Sequence, residues 1–318
     1  MKAVMYHYVR KENEAFPLFK FLHVDDFKKQ LDYLSKNFGI LHPSVLKESV
    51  ITGKPADGVV LTFDDGVKDH YEFVLPELLD RGLSAIFYVS TGVYENNKIL
   101  GVHRLHLLLG KFPSEKIYHA LLDLVKNEML SHAHVKEFQT IPYSLQNNDE
   151  YTNQVKRMMN YLIGYKYREQ VLDQLMEDFF GGDKNIFGSF YLSIGEIKKM
   201  HDLGMVMGSH TRTHPVLSKL SPTEQKTEIQ TSFDYLENIC IKLPYKTFCY
   251  PYGGFHSFTD ETENILKEEG CLFSFNVEER DISEKDLVGR SQALPRYDCN
   301  YFPHGKLWEN KRILNEEK

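Results

Sequence analysis

Cysteine is scarce in this chain of 318 residues: Cys240, Cys249, Cys271 and Cys299 are the only four, and no two form a C-x-x-C pair. That excludes a disulfide-stapled scaffold, a dithiol redox motif and a thiolate zinc site, and it makes four buried thiols the expected state. Long apolar runs are also missing. None approaches the roughly 18 residues that a spanning helix requires, so no transmembrane segment is expected. The opening MKAVMYHYVRKENEAF places Lys2, Arg10 and Lys11 around too short an apolar run for a signal peptide, and the expected location is therefore cytoplasmic. Positive charge is not in excess either: 38 Lys+Arg stand against 45 Asp+Glu, a formal net charge of −7. Neither nucleic acid nor an anionic membrane is then an expected partner. Internal repeats and low-complexity tracts are absent as well.

What is present is an ordinary globular composition, 42% hydrophobic and 26% charged, in a chain long enough for a large core. Val4 to Val9 reads as a short strand, and Phe27, Leu31 and Leu34 recur at helical spacing before Gly39. The continuous apolar run Gly58 to Phe63 reads as a buried parallel strand with Asp64-Asp65-Gly66 at its end. A helix over Tyr71 to Arg81, stopped at Gly82, and a second buried strand over Ser84 to Ser90 complete a β-α-β unit. Residues 98–187 change character: strand runs vanish and Ile117, Leu121, Leu124 and later Val171, Leu175, Phe179 follow helical periodicity. We expect a helical insertion there, a lid or an interface, between barrel segments 1–97 and 188–318. After it the alternation resumes, with a helix capped at Ser193, a strand from Met205, and a helix over Pro222 to Asn238 opened by the capping-box chemistry of Ser221 to Glu224. Strands near Thr247 to Tyr250 and Leu272 to Val277 flank a helix at Asp260 to Glu269, and the charged tail after Trp308 should fray. The class is α/β, with a helix-covered parallel sheet that is either open or closed into a barrel.

Three polar clusters follow apolar runs, where such folds carry their chemistry: Asp64-Asp65-Gly66, His210-x-x-x-His214-Pro215 and Tyr250-Pro251-Tyr252-Gly253. Two histidines and one carboxylate from separate loops make a facial set with open positions, as a hydrolytic metal needs. A second carboxylate must then accept the proton of the attacking water. Adjacent carboxylates on a regular strand point to opposite faces, but at a strand end before Gly66 the chain can turn both into one mouth.

In that order, TFDDG (62–66), SHTRTHP (209–215) and FCYPYGG (248–254) resemble the first three motifs of the polysaccharide deacetylases with a NodB homology domain. The resemblance covers about residues 1–97 and 188–300. It implies a distorted (β/α)7 barrel and metal-dependent removal of acetyl groups from N-acetylated sugars, so a carbohydrate substrate is the implied partner. By motif it implies Asp64 as catalytic base, Asp65, His210 and His214 as metal ligands, and the Tyr252 backbone N–H as an oxyanion donor. Zn2+ is the implied metal, with Co2+, Ni2+ and Mn2+ also compatible with such ligands.

Two departures shape the remaining expectations. The family's arginine before Pro-Tyr-Gly falls at Cys249, and no L-x-H motif lies near the C-terminus. Met5-Tyr6-His7 resembles the opening strand of a circularly permuted branch, similar to poly-N-acetylglucosamine deacetylases, which implies His7 as general acid. Arg296 in ALPRYDCN resembles an arginine late in that branch and is the implied charge partner of Asp64, with Arg290 as competitor. Tyr252, Phe255 and Tyr297 are candidates for stacking on sugars, and Asp69, His70, Asp298 and His304 for lining the mouth. His103 and His106 fit a helix face and are left out of the metal site. Rival readings are a deformylase or other amide hydrolase on the same metal site, and a glycan-binding protein with a decayed site. Oligomeric state is not set by any of these features.

Overall fold

A computed structural model describes residues 1–130, 148–240 and 242–308. The described residues group into two compact units, one from Met1–Lys11, Phe21–Asn96 and Gly188–Lys318, the other from Glu12–Lys20 and Asn97–Phe187. The charged tail after Trp308 lies outside the described residues. No helix among them is long and apolar enough to cross a membrane.

The first unit is built on strands β1 (Lys2–Tyr6), β2 (Val9–Arg10), β3 (Leu22–His23), β4 (Val59–Phe63), β5 (Ile86–Val89), β6 (Val206–Ser209), β7 (Lys246–Cys249), β8 (Cys271–Phe275) and β9 (Tyr297–Asp298). Seven of them form one sheet in the order β8-β7-β6-β5-β4-β1-β9, and every neighbouring pair is parallel. Every residue of β4 and β5 is buried, which is why these strands read as unbroken apolar runs rather than alternating ones. One segment brings the sheet edges together. Leu294 bridges Phe275 of β8 and donates its N–H to Ser274 at 2.9 Å, while Tyr297 and Asp298 pair with Val4 and Met5 of β1. The sheet thus curls on itself as the distorted (β/α)7 barrel that the sequence implied, with Arg296 in the closing segment.

Helices cover the sheet where the periodicity placed them. Helix Val24–Phe38 buries Phe27, Leu31 and Leu34, its first turn capped by the His23 side chain accepting from Asp25 N–H. Helix Ile194–Asp202 opens with the Ser193/Glu196 capping box, and Pro222–Cys240 and Asp260–Glu268 follow the later strands. Two elements differ from expectation. The first strand stops at Tyr6, and β2 begins only at Val9, because the His7 carbonyl bonds the His70 side chain instead of a ladder partner. The helix expected over Tyr71 to Arg81 is a π-helical turn, His70–Val74, running into helix Leu75–Asp80. Pro76 has no N–H to donate to the preceding turn, and the Leu75 N–H reaches back to the His70 carbonyl instead.

The second unit is helical, with Gly101–Lys111, Ser114–Leu124, Glu150–Arg157 and Tyr165–Phe180 among its elements. Ile117, Leu121, Val171 and Leu175 are buried, as their spacing required. Arg104 is buried too, with Nη2 2.6 Å from Asp183 and Nη1 3.0 Å from Asp173. A buried guanidinium needs such partners to offset its desolvation.

Gly208 of β6 shows how tightly the barrel is packed beside the histidine loop. A Cβ there would sit 2.5 Å from Cε1 of Tyr88 and 3.0 Å from Thr247 Cγ2. Gly208→Ala should therefore destabilise the protein by about 1–3 kcal/mol, the usual cost of overpacking, in a urea unfolding experiment. Unchanged stability would show that Tyr88 can yield without cost.

Candidate active site

The two carboxylates after β4 are split by one backbone step. Asp64 continues the strand, donating its N–H to the Tyr6 carbonyl at 2.9 Å. Asp65 then turns left-handed, with φ of 79°, followed by Gly66 at 63°. The sequence assigned this turn to glycine, yet the strained residue is Asp65 itself, and both carboxylates are buried in the same region.

Asp65 meets the two histidines. His210 follows β6, and its N–H donates to the Val89 carbonyl at 3.0 Å. Its Nδ1 lies 2.7 Å from the Cys249 carbonyl, which can only accept, so Nδ1 carries a proton and Nε2 is the nitrogen that faces Asp65. That Nε2 is 3.4 Å from Asp65 Oδ1, and His214 Nε2 is 3.5 Å from the same oxygen. The two imidazole rings meet edge to face with centroids 4.8 Å apart. The intervening loop is pinned from two sides. Thr211 Oγ1 accepts the His214 N–H at 2.9 Å, and Glu228 of helix Pro222–Cys240 accepts both the N–H and the hydroxyl of Thr213 at 2.7 Å.

Asp64 faces another partner. Arg296 donates to it bidentately, Nη1 to Oδ1 at 2.8 Å and Nη2 to Oδ2 at 2.7 Å, with both residues 1% exposed. The same guanidinium reaches Thr62 Oγ1 at 3.0 Å and Cys249 Sγ at 2.8 Å. Burial pushes the Asp64 pKa up, but the charge of Arg296, aided by His210, His7 and the hydrogen bonds, outweighs it and holds the carboxyl below its usual range. Cys249 occupies the place of the missing motif arginine. Its small side chain makes room for a guanidinium arriving from the closing segment. Arg290 is spoken for elsewhere, donating Nε to Glu263 at 3.0 Å and lying over the Phe255 ring at 4.9 Å.

His7 stands at the open side of this pair, with Nε2 4.0 Å from Asp64 Oδ2 and a half-exposed side chain. Tyr252 is exposed, its ring 5.0 Å from the His214 ring, and its backbone is left-handed at φ 66°. Among the described residues six non-glycine positions have such a φ, and four of them are Asp65, Thr211, His214 and Tyr252. Strain of this kind, on the order of 1–3 kcal/mol each, persists only where the surroundings over-determine it.

The remaining sequence candidates divide. His70 lies beside His7, its Nε2 2.9 Å from the His7 carbonyl, and Asp69 takes a bidentate pair from Arg10. Asp298 accepts from the Asn300 N–H and Tyr297 donates its hydroxyl to Asp281, so both have structural partners, and His304 is exposed. His103 and His106 belong to helix Gly101–Lys111 of the second unit. Glu228, which fixes the histidine loop, and Arg10 carried no signal in the sequence, since each stands in a stretch whose pattern is that of any surface element.

Two donor sets of metal-binding type occur among the described residues, Asp65 with His210 and His214, and Asp64 with His210 and Cys249. The first fits a divalent ion: two imidazoles and one carboxylate, all ligand atoms within 4.8 Å, with His210 oriented by a carbonyl behind it. In the second, Arg296 already bonds both Asp64 oxygens and the thiol, placing a positive charge where an ion would have to sit.

A family model described as polysaccharide deacetylase matches residues 171–273, a stretch that contains the SHTRTHP and FCYPYGG motifs. Over that stretch the chain is similar to the polysaccharide deacetylases. Solved structures share the deacetylase-like fold. The deacetylase PplD from Streptococcus pyogenes, in complex with acetate, has a TM-score of 0.58 at 18% identity, over 97% of this chain and 96% of that one. IcaB from Ammonifex degensii gives 0.54 at 18%, over 96% and 95%, and a de-N-acetylase from Aggregatibacter actinomycetemcomitans gives 0.51 at 15%, over 93% of both. Among curated proteins none matches the chain in sequence.

Two outcomes test this site. Zinc at about 100 times its dissociation constant should stabilise the parent by about 2.7 kcal/mol and leave His210→Ala/His214→Ala unaffected in thermal unfolding; equal shifts would place the ion elsewhere. Arg296→Met should cost about 3–5 kcal/mol of stability, because it leaves a buried carboxylate unpaired. Since Arg296 depresses the Asp64 pKa, the stability it confers is present above the ordinary carboxylate range and lost as pH falls through the folded value. In the variant burial alone pushes the Asp64 pKa up, so its stability deficit relative to the parent should shrink as acid protonates the carboxyl, and a deficit that does not change with pH would dismiss the pairing.

Proposed function

We propose that this chain is a metal-dependent deacetylase of N-acetylated sugars. One observation carries the reading: the neighbouring carboxylates after β4 have opposite company, Asp65 with two imidazoles and Asp64 with a buried guanidinium. A divalent ion held by Asp65, His210 and His214, most simply Zn2+, supplies Lewis acidity toward the acyl oxygen and toward water.

The protein's own groups do the rest. Asp64 is kept ionised and aimed by Arg296, so it can accept a proton from the attacking water. The water oxygen bonds to the acyl carbon, and the backbone N–H of Tyr252, set by its left-handed turn, stabilises the developing oxyanion. His7, 4.0 Å from the base and open to solvent, delivers a proton to the sugar nitrogen as the C–N bond breaks. Acetate and a free amino sugar leave. The exposed Tyr252 and Phe255 rings would give sugar faces an apolar surface. The complete Asp64–Arg296 pair supports an active site over a decayed glycan-binding one.

The direct test is acetate release from N-acetylated oligosaccharides with zinc or cobalt added. Asp64→Asn should lower kcat by about 10²–10⁴-fold, the range of general base catalysis, at unchanged metal content. Parent-like turnover by this variant would remove Asp64 from the mechanism.

A further inference from the structure

The segment carrying His7 has little regular structure, lying between the end of β1 and the two-residue β2. A half-exposed histidine on such a segment would lose its aim unless its backbone were fixed. The chain from Asp64 to His70 supplies that restraint at three points. Asp64 N–H bonds the Tyr6 carbonyl at 2.9 Å, His70 Nε2 bonds the His7 carbonyl at 2.9 Å, and the Asp69 carboxylate receives Arg10 Nε and Nη2 at 2.7 and 2.8 Å.

His70 is fitted to this one contact. Its side chain is fully buried, and its ring packs against Phe63 and Phe87 with centroids 5.5 Å away in each case. Burial pushes its pKa down to about 4, so the ring is neutral at working pH. A carbonyl only accepts, so the single ring proton sits on Nε2, and the buried Nδ1 has no hydrogen-bond partner among the described residues. Leaving a buried acceptor unpaired costs about 1–3 kcal/mol, more than an apolar ring in the same place would. It starts the π-helical turn, a distortion often found at functional sites.

We propose that His70, supported by the Asp69–Arg10 ion pair, is a positioning residue that holds the His7 backbone so that the imidazole addresses the departing amine. This rests on the reading of His7 as general acid. The strand carrying the base and the segment carrying the acid are then tied by side chains four and five residues past Asp65, and the two catalytic groups keep their spacing as one piece.

The test uses leaving groups, since an acid matters for an amine and little for a nitrophenolate. Acetate release from tetra-N-acetylchitotetraose and hydrolysis of 4-nitrophenyl acetate are measured for zinc-loaded parent, His7→Ala, His70→Phe, His70→Gln and Asp69→Asn. His70→Phe should lose about tenfold or more in kcat on the amide, as misplaced groups do, at unchanged metal content and near-parent rate on the ester. His70→Gln, which keeps an N–H donor, should recover most of the amide rate, and Asp69→Asn should show a several-fold loss confined to the amide. Equal losses on both substrates would make His70 a general structural residue and overturn the proposal, as would full amide activity in folded His70→Phe while His7→Ala is impaired. Full amide activity in His7→Ala would instead overturn the general-acid reading beneath it.

Discussion

Two adjacent carboxylates that must behave differently impose the governing constraint on this structure. Left side by side in a buried mouth, they would repel, and one would be forced to take up a proton. The fold separates their tasks by giving each its own positive or coordinating company. Asp64 keeps the line of β4 and receives the Arg296 fork, while Asp65 turns through a left-handed residue toward His210 and His214. Much else in the barrel follows from that division: Arg296 must come from the segment that closes the sheet, and position 249 must be small enough to admit it.

The cost of the arrangement is concentrated in the backbone. Left-handed conformations at Asp65, Thr211, His214 and Tyr252 are each unfavourable, and the histidine loop that carries two of them is held by a helix. Glu228 on a 19-residue helix accepts two hydrogen bonds from the histidine loop, and Ser209 and Ser232 hydroxyls meet at 2.7 Å just behind it. Rigid elements therefore aim the loops on which the proposed chemistry would rest, which is how preorganised donors avoid rearrangement during reaction. The thiol of Cys249 has a part in this as well. It is fully buried and lies 3.5 Å from Asp64, and burial raises its pKa, so it packs as a neutral group beside the carboxylate.

Much of this was legible in the sequence because it rests on local patterns. Unbroken runs such as VVLTF mark strands covered on both faces, and polar clusters directly after them mark the mouth of the barrel. Asp64, Asp65, His210 and His214 could be picked out for that reason. Long-range geometry was less accessible. Nothing in the ALPRYDCN segment states that Arg296 will fork onto Asp64, 232 positions away, and family resemblance alone singled it out. The Asp69–Arg10 pair and the His70–His7 contact join residues about sixty positions apart, and no periodicity encodes them. Pro76 was readable as a helix breaker in principle, but its effect, a π-helical turn beginning at His70, emerges only from the competition among backbone donors.

The central claim is that the metal ion sits with Asp65, His210 and His214, leaving Asp64 and Cys249 to Arg296. X-ray absorption on the zinc-loaded protein addresses it directly, because sulfur and nitrogen or oxygen ligands differ clearly in bond length. The account predicts a first shell of nitrogen and oxygen at about 2.0–2.2 Å, including two imidazoles. A sulfur ligand at about 2.3 Å would place the ion on Cys249 and contradict the division of labour between the two carboxylates.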